Sequence, residues 1–237
     1  MLVIMFPLLS LSYYINLWSE ALGAMFSLAI IGAYLGIPVL VLERFRVDLR
    51  AFNLYAHRLE TVLDYILKPA RKDKAKPDIK NIKRELISFI FVALLILIPY
   101  ACLFLGFFFF AAAGQGKELH FSLSLPPKFI PLVLTQIFVV ALPEEFFWRG
   151  FVQSALLKKW PNERFFLGLP LGRAVVLTNV LFALAHFVLG FMPERLLTFF
   201  PGLIFSALVM REKSLLSAIL FHALCNIFAI VMHHSLS

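Results

Sequence analysis

Acidic and basic residues are crowded into one segment of an otherwise apolar stretch of the chain. Residues 143–150 read Pro-Glu-Glu-Phe-Phe-Trp-Arg-Gly. Glu145 and Arg149 are four residues apart with the acid first, the favourable order for an ion pair on one helix face. Glu144 lies about 100° away around the helix, where its helix offers no second basic residue. We therefore expect Glu144 to act in acid–base chemistry, with Glu145 and Arg149 supporting it.

Two further groups of polar residues lie on later apolar segments. His186 ends the segment Phe182-Ala-Leu-Ala-His186, and Asn179 precedes it by two helical turns on the same face. Asn179 is therefore expected to orient the imidazole. His222 and Asn226 are four residues apart and share a helix face. All these side chains can bond to a reacting group, but they could also form hydrogen bonds that only hold helices together.

The composition indicates the environment of these residues. The chain has 237 residues, of which 61% are hydrophobic and 15% are charged, and its mean hydropathy is +0.89. A soluble domain has about 45–50% apolar and about 25% charged residues, so lipid is the expected solvent for most of the surface. A charged side chain in mid-membrane costs at least about 2.5–3.5 kcal/mol. Glutamates and histidines at that depth are therefore functional candidates.

Apolar segments of about 20 residues are long enough to cross about 30 Å of hydrocarbon. They predict an all-α fold, a polytopic transmembrane helical bundle of about seven spans, with a range of six to eight. The predicted spans are residues 2–18, 21–42, 86–111, 129–158, 173–190, 195–210 and 214–233. Pro143 is expected to break or kink the fourth span.

Four regions follow from this layout. They are two N-terminal transmembrane helices at 1–42, a basic cytoplasmic loop at 43–85, a transmembrane helix with an outer loop at 86–128, and a catalytic helical core at 129–237.

Basic residues in the loops indicate the topology. Residues 43–84 contain 12 Lys and Arg against 6 Asp and Glu, a local net charge of +6. Within them, residues 52–67 have apolar side chains at helical spacing, which predicts an amphipathic helix on the membrane surface. The basic loops 158–173 and 211–213 fall on the same side, so the N-terminus is expected in the cytoplasm and the C-terminus outside. The positive charge is expected to contact membrane lipid and not nucleic acid.

The polar residues are expected at similar depths in the membrane. Counted from the cytoplasmic helix ends at 1.5 Å per residue, Glu144 and His186 lie roughly 20 Å deep and His222 roughly 13 Å deep. All three fall within the hydrocarbon layer. This agreement favours a single shared site.

The three motifs together resemble a known family. In chain order they are Glu144-Glu145-x-x-x-Arg149, Phe182-x-x-x-His186 and His222-x-x-x-Asn226. This pattern, over about residues 130–232, resembles the CAAX protease and bacteriocin-processing family of glutamic intramembrane proteases. Phe199 and Gly202 match an aromatic residue and a glycine that the family often has in the intervening helix.

The resemblance implies an intramembrane endopeptidase that needs no cofactor or metal and cleaves a membrane-anchored protein or peptide. Glu144 and His186 would activate a water for attack on the peptide carbonyl. His222 and Asn226 would donate hydrogen bonds to the developing oxyanion. The ion pair of the first motif would fix the helix around Glu144.

Residues 199–202, Phe-Phe-Pro-Gly, and the spacing of the last motifs also resemble a bacterial subgroup, the myxosortase-like enzymes. Members of this subgroup are thought to process C-terminal sorting tails. The resemblance implies that the substrate is a membrane-anchored protein tail, and that the protein is integral to the bacterial inner (plasma) membrane.

Three other functions fit parts of the pattern. A zinc-dependent membrane metalloprotease would use Glu144, His186 and His222 as ligands, and cleavage that survives thorough chelation would exclude it. A non-catalytic immunity or scaffold protein would keep its biological function after Glu144→Gln. A proton-coupled transporter would use the same side chains as a relay, but the sequence shows no internal repeat of the kind that transporters often have.

Overall fold

The structure of the protein is a computed structural model that describes residues 20–44, 120–161, 164–166, 169–212 and 214–235, with isolated helical positions between Lys83 and Phe110. The helices are α1 (Glu20–Arg44), α2 (Phe129–Lys159), α3 (Arg173–Phe187), a 3-10 helix (Pro193–Thr198), α4 (Phe199–Glu212) and α5 (Leu216–His234). A two-stranded antiparallel hairpin of β1 (Phe165–Phe166) and β2 (Leu169–Pro170) precedes α3. The fold is mostly helical, as predicted, and only this small hairpin departs from the expected all-α class among the described residues.

Four of the described helices are long and apolar enough to cross a bilayer. They are Ser27–Arg44, Phe129–Lys159, Pro193–Glu212 and Leu216–His234. They correspond to the predicted spans at 21–42, 129–158, 195–210 and 214–233. The length and composition of these helices therefore agree with an integral membrane protein.

Helix α3 is shorter than the predicted span at 173–190. It has 15 residues, which makes it about 22 Å long, whereas the hydrocarbon layer is about 30 Å thick. The chain leaves the helix through left-handed residues, with φ of 92° at Gly190 and 52° at Phe191. The guanidinium of Arg195 donates to the carbonyl of Leu189 at 2.6 Å. This bond satisfies a polar group just beyond the helix end.

Helix α2 continues through Pro143, where a break or kink was expected. An α-helical turn, Leu142–Glu145, lies between two π-helical stretches, Thr135–Ala141 and Phe146–Gln153. Proline has no N–H to donate to the carbonyl four residues earlier. The wider π turns use a carbonyl five residues away. The helix is therefore unbroken. Its irregularity is a change in hydrogen bonding, from the carbonyl four residues earlier to the one five residues earlier.

Several predicted elements lie outside the described residues. They include the span at 2–18 and the amphipathic helix at 52–67 with most of its basic loop. For the span at 86–111 only isolated helical positions are described. The seven-span count and the cytoplasmic placement of the basic loop stay predictions.

The contacts divide the chain into two compact units. The first consists of residues 1–77 and 142–218, and the second of residues 78–141 and 219–237. The core of the first unit is aromatic. Its largest buried apolar side chains include Phe147, Trp148, Phe182 and Phe205. Phe182 contacts both Trp148 and Phe205 edge-on, with ring centroids 6.0 and 6.4 Å apart.

In the second unit, the segment before α2 is attached to the end of α5. The backbone N–H of Ser122 donates to the carbonyl of Ser235 at 3.0 Å, and that of Ser124 donates to the hydroxyl of Ser235 at 3.1 Å. The hydroxyl of Ser235 donates in turn to the carbonyl of Ser124 at 3.2 Å. These bonds fix the segment before α2 on the last turn of α5.

Candidate active site

A fully buried ion pair forms the base of the site. Nη1 of Arg149 donates to Oε1 of Glu145 at 3.0 Å, and both side chains are 0% exposed. This is the pair that the four-residue spacing predicts, and the structure confirms it. Burial of two charges costs several kcal/mol per ion unless further hydrogen bonds satisfy them. The remaining hydrogen bonds of Arg149 offset part of this cost, although its Nε has no hydrogen-bond partner among the described residues.

Arg149 connects three helices. Its Nη2 donates to Oδ1 of Asn179 on α3 at 2.9 Å and to the carbonyl of Gly202 on α4 at 3.1 Å. The guanidinium carbon lies 4.2 Å from the ring centroid of Phe182 and 5.1 Å from that of Phe205. Aromatic faces attract a cation, most strongly where water is excluded. Arg149 therefore fixes α2, α3 and α4 relative to one another.

The hydrogen bonds continue from Asn179 to α4 and back to α2. Nδ2 of Asn179 donates to the hydroxyl of Ser206 at 3.0 Å, and that hydroxyl donates to Oε1 of Gln153 at 2.7 Å. The expectation that Asn179 orients His186 is wrong. Seven residues of helix rise about 10 Å, a distance that the short amide side chain cannot span. Asn179 orients Arg149 instead.

Gly202 is required where α4 approaches this cluster. A Cβ at position 202 would lie 3.0 Å from Nη2 of Arg149 and would overlap the side-chain amide of Asn179. The missing side chain lets the backbone carbonyl come close enough to accept from Arg149. This gives a physical reason for the glycine that the sequence places in the intervening helix.

Glu144 and His186 lie next to one another. Oε2 of Glu144 is 3.8 Å from Nε2 of His186, and the two side chains are 18% and 23% exposed. Nδ1 of His186 is 3.0 Å from the carbonyl of Phe182. A carbonyl only accepts, so Nδ1 carries a proton. In the neutral ring, Nε2 is then the acceptor, and it faces Glu144.

This geometry can hold and activate a water. A separation of 3.8 Å is longer than a hydrogen bond, yet a water beside the pair can lie about 2.8 Å from both acceptors. Such a water donates one hydrogen to the Glu144 carboxylate and one to Nε2 of His186. Its lone pairs then point away from both groups, so it can attack an electrophile.

His222 and Asn226 belong to the second unit and lie one turn apart on α5. His222 is buried. Nδ2 of Asn226 donates to Oε1 of Gln136 on α2 at 3.0 Å. This bond uses one of the two amide hydrogens of Asn226. The other can still be offered to a ligand.

The structure also shows polar residues that the sequence analysis missed. Gln153 lies one turn after Arg149 on α2, and Ser206 lies one turn after Gly202 on α4. The four-residue spacing of Arg149 and Gln153 on an apolar helix was the signal that could have identified Gln153, whereas Ser206 follows a glycine at that spacing and gave no such signal. Tyr34 on α1 is also buried beside the site, and no spacing in the sequence connects it to the motifs.

A zinc site would need several ligands in one place. Among the described residues, no group of three or more His, Cys, Asp or Glu side chains is placed to hold a metal ion. Chelation of the active protein remains the deciding test of this alternative.

Comparison with known proteins agrees with the motifs. Residues 126–228 match a family model described as type II CAAX prenyl endopeptidase Rce1-like, and this range contains all three motifs. No curated protein and no solved structure matches the chain significantly. Over residues 126–228, the chain is therefore similar to the Rce1-like CAAX proteases. This similarity and the four membrane-length helices agree with a membrane-embedded hydrolase of the protease class.

Proposed function

We propose that the chain is an intramembrane endopeptidase of the glutamic type, which hydrolyses a peptide bond of a membrane-associated protein. The approach of Glu144 to His186 carries the proposal. A carboxylate and an imidazole face one another across a gap that fits a water, in a region that matches a family of CAAX proteases. Water at neutral pH is a poor nucleophile without such a base.

In the proposed reaction, Glu144 removes a proton from the water while His186 holds it in place. The water oxygen bonds to the carbonyl carbon of the substrate and forms a tetrahedral intermediate. His222 and Asn226 donate hydrogen bonds to its negative oxygen, as the resemblance implies. Glu144 then returns the proton to the amide nitrogen, the carbon–nitrogen bond breaks, and an acid and an amine leave.

Glu145 is not suited to the same task. Its carboxylate is fully buried and bonded to Arg149, whereas Glu144 is partly exposed. A water that takes part in the reaction cannot reach a carboxylate that is fully buried. We therefore assign proton transfer to Glu144 and assign support of the helix to Glu145 and Arg149.

We propose that the substrate is a membrane-anchored protein tail. The family description names a type II CAAX prenyl endopeptidase, and residues 199–202 resemble enzymes thought to process C-terminal sorting tails. Both kinds of substrate present a chain terminus close to a membrane anchor. An active site on membrane-length helices is accessible to such a terminus.

The function is tested by comparing membrane proteomes of cells that express the wild-type protein and the Glu144→Gln variant. An uncut precursor should accumulate with the variant, because Gln cannot accept the proton from water. Glu43→Gln at the exposed end of α1 makes the same chemical change away from the site and should process normally. If Glu144→Gln processes all substrates at the wild-type rate, the protein is not a glutamic protease.

The remaining site residues are tested with the precursor identified in this way. His186→Ala should abolish cleavage. His222→Ala and Asn226→Ala should each reduce the rate about 100- to 1,000-fold, since each removes a donor to the oxyanion. All three variants should insert and elute as wild type in gel filtration. A cleavage rate within a few-fold of wild type for Asn226→Ala would show that Asn226 is not a donor to the oxyanion.

A further inference from the structure

Helix α2 carries one long polar side chain near its start. Over residues 129–141, the polar residues of this helix are Thr135 and Gln136. Thr135 is exposed, and its hydroxyl donates to the carbonyl of Pro131 on its own helix at 2.9 Å. Gln136 is half-buried and bonds to a different helix. The two neighbouring residues therefore use their polar groups in different ways.

Gln136 is bonded to Asn226, the residue of α5 that the proposed function places at the oxyanion. Oε1 of Gln136 accepts from Nδ2 of Asn226 at 3.0 Å. Both residues are half-buried, and both belong to the second compact unit. Hydrogen bonds between polar side chains also hold apolar helices together, so a purely packing role is the alternative that the experiment must separate.

The bond selects which end of the Asn226 amide faces α2. The oxygen and nitrogen of an amide are similar in size, and the last torsion of an asparagine side chain is broad and roughly two-fold. The oxygen can only accept, and the nitrogen can only donate. Since Oε1 of Gln136 is an acceptor, the nitrogen of Asn226 must face it. This fixes the plane of the amide, and with it the direction of the second N–H.

A donor to an oxyanion stabilises it most when the donor is already in place as the charge develops. An Asn226 amide turned by half a rotation would present its oxygen where the nitrogen should be, and two acceptors repel. We propose that Gln136 is a positioning residue for Asn226, because it holds the amide with its free N–H available to the substrate oxygen. This inference rests on the proposed function, and Gln136 belongs to none of the three sequence motifs.

The test measures kcat and KM of the full-length protein in lipid nanodiscs, with the precursor identified by the proteome comparison. Gln136→Met keeps the length of the side chain and removes the amide acceptor. We expect kcat to fall about three- to tenfold, the effect of one lost hydrogen bond. KM should not change, since Asn226 acts on the transition state. Thr135→Val is the matched control, and it should leave both constants at their wild-type values.

A double-mutant cycle separates positioning from packing. If Gln136 acts through Asn226, adding Gln136→Met to Asn226→Ala should change kcat by less than about twofold. An equal fall in kcat with and without the Asn226 amide would overturn the inference, as would wild-type kinetics of Gln136→Met.

If Gln136→Met does not insert, Gln136→Asn replaces it. This change keeps an amide but shortens the side chain by one methylene, which withdraws the acceptor from Asn226. The same fall in kcat is expected, and it should again disappear in the Asn226→Ala background. Wild-type kinetics, or an equal fall in both backgrounds, would overturn the inference.

Failure of the inference and failure of the function give different results. If Glu144→Gln still cleaves, the proposed function is wrong, whatever the kinetics of the Gln136 variants. If Glu144→Gln is inactive but Gln136→Met and Asn226→Ala lower kcat independently, the function stands and Gln136 only holds α2 against α5. Wild-type cleavage by Asn226→Ala would also overturn the inference, because Gln136 would then have no donor to position.

Discussion

At the scale of the residue, Arg149 is the charged side chain of the site that connects three helices. It holds a carboxylate, an amide oxygen and a backbone carbonyl from three helices, between two aromatic rings. None of these contacts touches the water position between Glu144 and His186. In the proposed mechanism, Arg149 therefore acts only through the positions of the helices.

Replacement of Arg149 should destabilise the protein as well as inactivate it. Arg149→Ala leaves Glu145 buried without its partner, which typically costs about 3–5 kcal/mol. Arg149→Lys keeps the charge but lacks the planar fork of donors, so its effect should be intermediate. Thermal unfolding in nanodiscs measures the loss. Unchanged unfolding and unchanged cleavage in Arg149→Ala would show that the ion pair contributes to neither.

A second residue-scale prediction concerns Gly202. Gly202→Ala places a methyl group against Arg149 and Asn179, so α4 must move away and the Arg149 bond to its carbonyl is lost. We expect a fall in Tm of several degrees and a loss of cleavage. Gly36→Ala on α1 is the matched control, since a Cβ there meets nothing within 4 Å. Equal Tm values for the two variants would contradict the close approach of α4 at Gly202 to the side chains of Arg149 and Asn179.

The sequence predicts only some of these contacts, for a physical reason. The Glu145–Arg149 pair follows from helix geometry, which fixes side chains four residues apart on one face. The bonds from Arg149 to Asn179 and Gly202 depend on how separate helices pack. No spacing within one helix contains that information, and the expectation for Asn179 was therefore wrong.

At the scale of the element, α2 combines a buried proline with two π-helical stretches on either side of Glu144 and Glu145. A proline in a helix interior costs about 3 kcal/mol, and π turns are frequent at functional sites. A change of register rotates the side chains that follow it around the helix axis, and Glu144 follows the first π-helical stretch. We infer that the irregularity of α2 serves the placement of this side chain.

Pro143→Ala tests this inference. Alanine restores an N–H and allows a regular α-helix, so stability should stay equal or rise while cleavage falls at least tenfold, because Glu144 is displaced. Pro131→Ala lies on the exposed first turn of the same helix and should change neither property. Cleavage at the wild-type rate in Pro143→Ala would show that the function does not need the irregular helix.

Helix boundaries were predicted well where hydropathy changes sharply and poorly where it does not. Helix α5 matches the predicted span within two residues at its start and one at its end. Helix α3 ends three residues early, since Val188 and Leu189 are as apolar as the helix before them. Its end is set by the left-handed backbone at Gly190 and Phe191, which hydropathy does not detect.

At the scale of the whole molecule, the topology is open to a direct test. Seven spans with a cytoplasmic N-terminus place residue 237 outside, by the positive-inside rule. An alkaline phosphatase fused after residue 237 should be active, and one inserted in the basic loop at 43–84 should be inactive. Inactivity of both fusions would indicate an even number of spans.

The short length of α3 has a consequence for the lipid around it. The helix is about 8 Å shorter than an average hydrocarbon layer, and a bilayer beside a short helix thins to match it. His186 is the penultimate residue of α3, so this local depression of the membrane surface would bring bulk water towards it. Hydrolysis consumes one water per bond cleaved, and a thinned bilayer offers a route by which that water is replaced.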